Sequence, residues 1–169
     1  VADLAVDAST GTVTVTEDDA ENAYAFVGRN LILTTGFTRF AGDDDEMICF
    51  VLAHELGHIE LGHTDMPYRR AAAAGTFGPL GQLSHMAAET IAKDSPMNQS
   101  QEYDADCYAA RTIRKAGRST DGAVRFFNRI EGSRDSDDEK KDADRLVGAL
   151  FGSHPDSSRR ADRVTRGCP

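Results

Sequence analysis

The run Ala53-His54-Glu55-Leu56-Gly57-His58 constrains this chain more than any other stretch. In an α-helix, positions i and i+4 lie about 40° apart round the axis and share a face. His54 and His58 can then offer two imidazole nitrogens to one metal ion. Glu55 lies about 100° round from His54, beside such an ion rather than on it, where a carboxylate can take a proton from water. Ile48, Val51, Leu52, Leu56 and Ile59 recur around the motif at helical spacing. Asp43-Asp44-Asp45 precede them, and acidic residues suit the positive end of a helix dipole. The pattern predicts a helix over about 45–62, packed by its apolar side chains with its two histidines side by side.

A catalytic zinc takes three protein ligands and leaves one position open, so a third ligand must come from elsewhere. A second long helix is expected from Asn98 to Ala116, after Pro96 and ended by Gly117. It contains Glu102 and Asp106, two carboxylates at i and i+4 on one face. Alone, that pair reads as a solvated acidic face. Beside H-E-x-x-H, Glu102 becomes the candidate third ligand. Asp106, one turn on, is placed to accept a hydrogen bond from the free ring N–H of a ligand histidine. His63 lies nine residues from His54, about 900° round a continuing helix and so on the opposite face. It also falls five residues after His58, where a three-histidine site needs six. His63 is therefore read as a helix-end residue, and His85, which has no partner at ligand spacing, as structural.

The rest of the chain reads as a small sheet and further helices. Residues 10–16 alternate β-branched and polar side chains, a strand signal. Residues 23–35 read as a hairpin turning at Gly28-Arg29-Asn30, with Leu31 to Thr35 its better strand. Phe37 to Phe40 start a helical turn. Residues 64–83, rich in Ala, Gly and Pro, read as a loop flanking a cleft, followed by a helix over about 83–94. An amphipathic helix is expected over 119–131, a solvated charge run over 133–144 and a last helix bearing Arg159, Arg160 and Arg163. The fold class is α+β: mainly helical, with a small antiparallel hairpin beside the motif helix. At 169 residues and 40% hydrophobic, residues 1–169 form one domain with room for a core.

A net charge of −9 argues against nucleic acid or an anionic membrane surface as partner. No apolar run approaches the length of a bilayer span. The start, Val1-Ala2-Asp3-Leu4, shows no signal-peptide pattern and no initiator Met, so it reads as trimmed or mature. Cys49, Cys107 and Cys168 fit no metal or redox spacing. One reading leaves Cys49 and Cys107 as buried thiols, with Cys168 in a loose tail. In the other, antiparallel packing of the two ligand helices joins Cys49 to Cys107, each five residues from a ligand. A bridge would favour an exported, oxidising compartment such as the bacterial periplasm.

Four ordered segments resemble the M48 metallopeptidases, a gluzincin family. Asn22-Ala23-Tyr24-Ala25 followed by Leu31-Ile32-Leu33-Thr34-Thr35-Gly36 is similar to the family's hairpin and edge strand. Leu52 to His58 resembles its active-site helix, and Gln101-Glu102-Tyr103-Asp104-Ala105-Asp106 through Gly117 its acidic helix. Ser153-His154-Pro155 through Arg160 resembles its late His-Pro segment. The resemblance implies a zincin-type domain with one catalytic Zn²⁺ on His54, His58 and Glu102. It implies an endopeptidase with Glu55 as general base, acting on extended or unfolded polypeptide. It places substrate backbone along the strand of Leu31, Ile32 and Leu33, gives Asn22 a substrate-holding role and gives His154 a share in stabilising the oxyanion. The membrane spans of the family's integral members are missing here, as is most of the helical segment before the first strand. Two other readings are open: an ImmA/IrrE-type regulatory protease, which matches less well around 22–36 and 154, and a zinc-stabilised scaffold that binds peptides without cutting. Oligomeric state is left open.

Overall fold

In a computed structural model, residues 12–19, 22–26, 29–63, 99–134, 159–166 and 168 are described. They form β1 (Thr12–Thr16), β2 (Ala23–Phe26), β3 (Asn30–Thr34), α1 (Thr35–Ala41), α2 (Asp45–Glu60), α3 (Gln99–Lys115), α4 (Asp121–Arg134) and α5 (Arg160–Arg166). The expected helices over 45–62, 98–116 and 119–131 thus correspond to α2, α3 and α4. The expected helix at 83–94 and the loop and charge run around 64–83 and 133–144 lie wholly or largely outside the described residues.

Asp44 opens α2: its carboxylate accepts the Met47 N–H at 3.0 Å, and Asp45 and Glu46 occupy the first turn. From Met47 through His58 every residue of α2 is buried. A helix buried on all sides needs neighbours on all sides. Here β2, α3 and α4 supply them. Phe50 meets the rings of Phe126 and Phe127 on α4 at 5.9 and 5.6 Å, and Ile113 on α3 and Ile130 on α4 join the same core. α2 and α3 come close at Gly57. A Cβ there would sit 3.2 Å from the backbone of Ala105 and from the Cβ of Tyr108. The small residue between Glu55 and His58 therefore sets how near the two helices come. At its end, α2 turns on Gly62, whose φ of +73° suits glycine. The Gly62 N–H donates to Ile59 O at 3.0 Å and the His63 N–H to His58 O at 2.8 Å. These are the paired bonds of a Schellman closure.

The sheet runs β1-β3-β2. β2 and β3 pair antiparallel, with Ala23 opposite Leu33 and Ala25 opposite Leu31, around a turn in which Arg29 takes a φ of 61°. β1 adds on the far side of β3 in parallel, with Val13 opposite Leu31 and Val15 opposite Leu33. The expected antiparallel hairpin is β2–β3, and β1 makes the sheet mixed. One expectation changes: the strand of Leu31, Ile32 and Leu33 is central rather than an edge. Its backbone is engaged on both sides, so those three residues are not where a substrate strand can pair. Burial explains the order: the apolar strand takes the middle, while β1 leaves Val13 and Val15 about half exposed, at 45% and 54%. Alternation of residue type marks a strand but carries no information on partner or direction. Arg29 pairs with Glu60, tying the hairpin turn to the end of α2. Thr34 caps α1 by accepting the Phe37 N–H at 3.0 Å, and the same hydroxyl donates to Asn22 O at 3.0 Å.

α5 lies on α3. The Arg163 guanidinium stacks 4.4 Å over the Tyr103 ring, and Arg114 donates to Val164 O at 2.6 Å. Just beyond α5, Cys168 is bonded to Cys107 of α3, with Cα atoms 5.0 Å apart. Cys49 is the buried free thiol of the first reading, its pKa pushed up by burial, but Cys107 is bridged, and to Cys168 rather than to Cys49. The tail returns to α3 because α5 carries it there. No described helix is long and apolar enough to cross a membrane.

Candidate metal centre

Six acidic, basic or imidazole side chains are buried among the described residues: His54, Glu55 and His58 of α2, Glu102 and Asp106 of α3, and Arg160 of α5. All belong to one cluster where the three helices meet. Burying charge costs several kcal/mol per ion unless it is paired, so their convergence needs an energetic reason.

The pairing is dense. His54 Nε2 and His58 Nε2 face each other at 3.0 Å. Glu102 reaches between them, with Oε2 at 3.4 Å from His54 Nε2 and Oε1 at 3.3 Å from His58 Nε2. Behind His54, Asp106 Oδ1 lies 3.0 Å from Nδ1. A carboxylate can only accept, so this contact puts the proton on Nδ1 and leaves the Nε2 lone pair facing Glu102. Arg160 closes the far side. Its Nε and Nη2 donate to the two oxygens of Asp106 at 2.7 and 2.8 Å, and its Nη1 lies 3.0 Å from Glu102 Oε2. Behind His58, its Nδ1 lies 3.0 Å from Nδ1 of His63.

The field in this pocket favours positive charge. Burial disfavours protonated His54, yet its contacts with Asp106 and Glu102 prevail and push its pKa up to about 9. Burial also works against Asp106 and Arg160 as ions, but their mutual attraction outweighs it. Asp106 is held below the usual carboxylate range, and Arg160 is raised, with Glu102 and Glu55 adding to the effect. Burial lowers the pKa of the half-buried His63. With neutral imidazoles, three carboxylates against one guanidinium leave two negative charges, the amount one divalent cation balances.

The donor set fits such an ion. Ligands about 2.0–2.1 Å from a tetrahedral zinc stand about 3.3–3.4 Å from one another. Here the two imidazole Nε2 atoms are 3.0 Å apart, and they lie 3.4 and 3.3 Å from the two different oxygens of Glu102. Nitrogen and carboxylate donors suit zinc, and these three residues form a group able to hold one ion.

The residues expected from the sequence fall out unevenly. His54, His58, Glu102 and Asp106 come together, and Glu55 is buried on α2 beside them. Asn22 is buried at the entrance to β2, its backbone locked to Thr34. Leu31, Ile32 and Leu33 are core residues of the central strand. His154 and His85 lie outside the described residues. Two residues were missed. Arg160 was read only as one charge of a basic helix, though Val164, four residues on, marks the buried face that both share. His63 is the helix-end residue it was read as, but the closure of α2 brings its ring beside His58 rather than to the opposite face.

Two imidazoles from one helix and a carboxylate from the next define the class of His₂–carboxylate centres able to bind one divalent metal. The chain belongs to peptidase family M48, whose model matches residues 2–166. Among its relatives, Metalloprotease YcaL of Escherichia coli (strain K12) is 29% identical over 154 residues and Metalloprotease LoiP of the same strain is 27% identical. Each alignment covers 85% of this chain, and 56% and 57% of the respective relatives. The chain thus spans little more than half the length of these curated relatives.

Proposed function

We propose that this chain is a zinc endopeptidase domain that hydrolyses extended or unfolded polypeptide. The observation that carries the reading is the convergence of His54, His58 and Glu102 from two helices, with one donor atom of each within 4.8 Å of the others. A zinc ion held there would polarise the scissile carbonyl and acidify a water. Asp106 fixes the tautomer and tilt of His54, and Arg160 keeps Asp106 ionised while standing 3.0 Å from Glu102 Oε2. Glu55, next to His54 on the same helix, takes a proton from the attacking water and returns it to the leaving nitrogen. Asn22 and His154 remain candidates for holding substrate and oxyanion. β2 forms one edge of the described sheet and packs on α2, so Ala23 to Phe26, rather than β3, is where a substrate strand would add. The Cys107–Cys168 bridge supports work in an oxidising compartment such as the periplasm.

The test is cleavage of a casein-like unfolded protein. Glu55→Gln should retain zinc and lose about 10²–10⁴ in rate. A zinc-loaded Glu55→Gln protein as active as the parent would end the general-base reading. Zinc binding with no cleavage of any unfolded protein would favour a peptide-binding scaffold.

A further inference from the structure

We propose that His63 is a positioning residue for the metal ligand His58, accepting the Nδ1–H of His58 so that its Nε2 stays aimed at the ion. The inference rests on the metal-centre reading above and adds a residue to it.

The placement follows from how α2 ends. With Leu61 as the C-cap, His58 is the third residue from the end of the helix and Gly62 the first beyond it. Gly62 at φ +73° reverses the chain, and the two Schellman bonds bring His63 back over the last turn. In that closure the second residue past the cap packs against the third before it, commonly as an apolar contact. Here the two are imidazoles, with Nδ1 atoms 3.0 Å apart and ring centroids 5.1 Å apart.

The tautomers then follow. Nitrogens at this distance bond in only one of two senses, because one must carry the proton and the other the lone pair. His58 needs its Nε2 lone pair to ligate, so its proton is on Nδ1. His63 therefore accepts at Nδ1 and keeps its own proton on Nε2. The two ligand histidines are thus held by unlike groups: His54 by a buried carboxylate, His58 by a ring. Ligand histidines depend on such partners for orientation and basicity, and losing one typically costs about 10–100-fold in metal affinity. His58 is nearly fully buried, at 1% exposure, so its ring orientation is set by protein groups rather than by solvent.

The experiment measures zinc affinity by competition with a chromophoric chelator, and visible absorption of the cobalt(II) form, for the parent protein and for His63→Ala, His63→Phe and His63→Asn. The proposal expects Ala and Phe to weaken zinc binding about 10–100-fold and to change the cobalt spectrum. Asn, whose amide oxygen can accept from the same place, should recover most of both. Phe fills the space without accepting, so the contrast between Asn and Phe decides the matter even if Ala folds poorly. Zinc affinity within about twofold of the parent in Phe and Ala would overturn the proposal, as would equal losses in Phe and Asn. A parent protein that binds neither zinc nor cobalt would instead overturn the metal centre itself.

Discussion

Replacing Arg160 by Ala removes the guanidinium from a cluster of buried carboxylates, and the structure fixes how severe that should be. The guanidinium makes two bonds to Asp106, at 2.7 and 2.8 Å, and a third contact, 3.0 Å, with Glu102. Its partners are fully buried, and it is itself only 2% exposed. Removing one member of such a pair strands the other charge, at about 3–5 kcal/mol. A surface pair would be worth under about 1 kcal/mol. The stacking of Arg160 5.0 Å over the Phe127 ring adds lost packing. With a urea slope of about 2 kcal/mol/M, the unfolding midpoint of the metal-free protein should fall by about 2 M. Saturating zinc should narrow the gap, because a divalent cation then answers the stranded carboxylates. Arg160→Lys should fall between, keeping a positive charge at that place and losing the two-pronged bond to Asp106. A midpoint within about 0.5 M of the parent for Arg160→Ala would refute the reasoning, since it would price the cluster as a solvated one.

Three further outcomes are expected. Gly57→Ala must push its new methyl against contacts at 3.2 Å, costing about 1–3 kcal/mol; a melt shows this, and weaker zinc binding should accompany it as α3 shifts with Glu102. Asp44 is held at a pKa of about 2 chiefly by its hydrogen bond to Arg125, which prevails over the burial that opposes it. Because the folded pKa lies below the unfolded one, this contribution is complete above about pH 4 and is lost as pH falls through 2. Carboxyl NMR titration should show Asp44 rising toward 3.8 in Arg125→Ala, and no rise would refute the pairing. Reducing Cys107–Cys168 opens a link across 61 residues, worth about 4 kcal/mol by loop entropy. Urea melts with and without reductant test this, and coincident curves would argue that the bridge constrains nothing.

The parts of this site that follow local rules were legible. Asp44, the apolar spacing and the i, i+4 pairs placed α2, α3 and their side chains before any coordinates. What failed were judgements that depend on the chain's return path. The helical-wheel argument put His63 on the wrong side because it assumed the helix continues, whereas Gly62 was a visible stop signal two residues after Glu60. Arg160 looked like its exposed neighbours Arg159 and Arg163, since a charge carries no mark of burial. The tail thiol found Cys107 for the same long-range reason. β1 declared itself a strand by alternation, but its parallel pairing depends on the chain's course between the strands.

The order of these pieces along the chain bears on biosynthesis. Arg160 follows Asp106 by 54 residues. At about 5–20 residues per second, a ribosome delivers the two carboxylates roughly 3–11 seconds ahead of the guanidinium that pairs with them. During that interval α2 and α3 can meet only with Asp106 and Glu102 lacking that guanidinium. A chain stalled or clipped before α5 is left in that state, and the cluster is completed only once α5 has been synthesised.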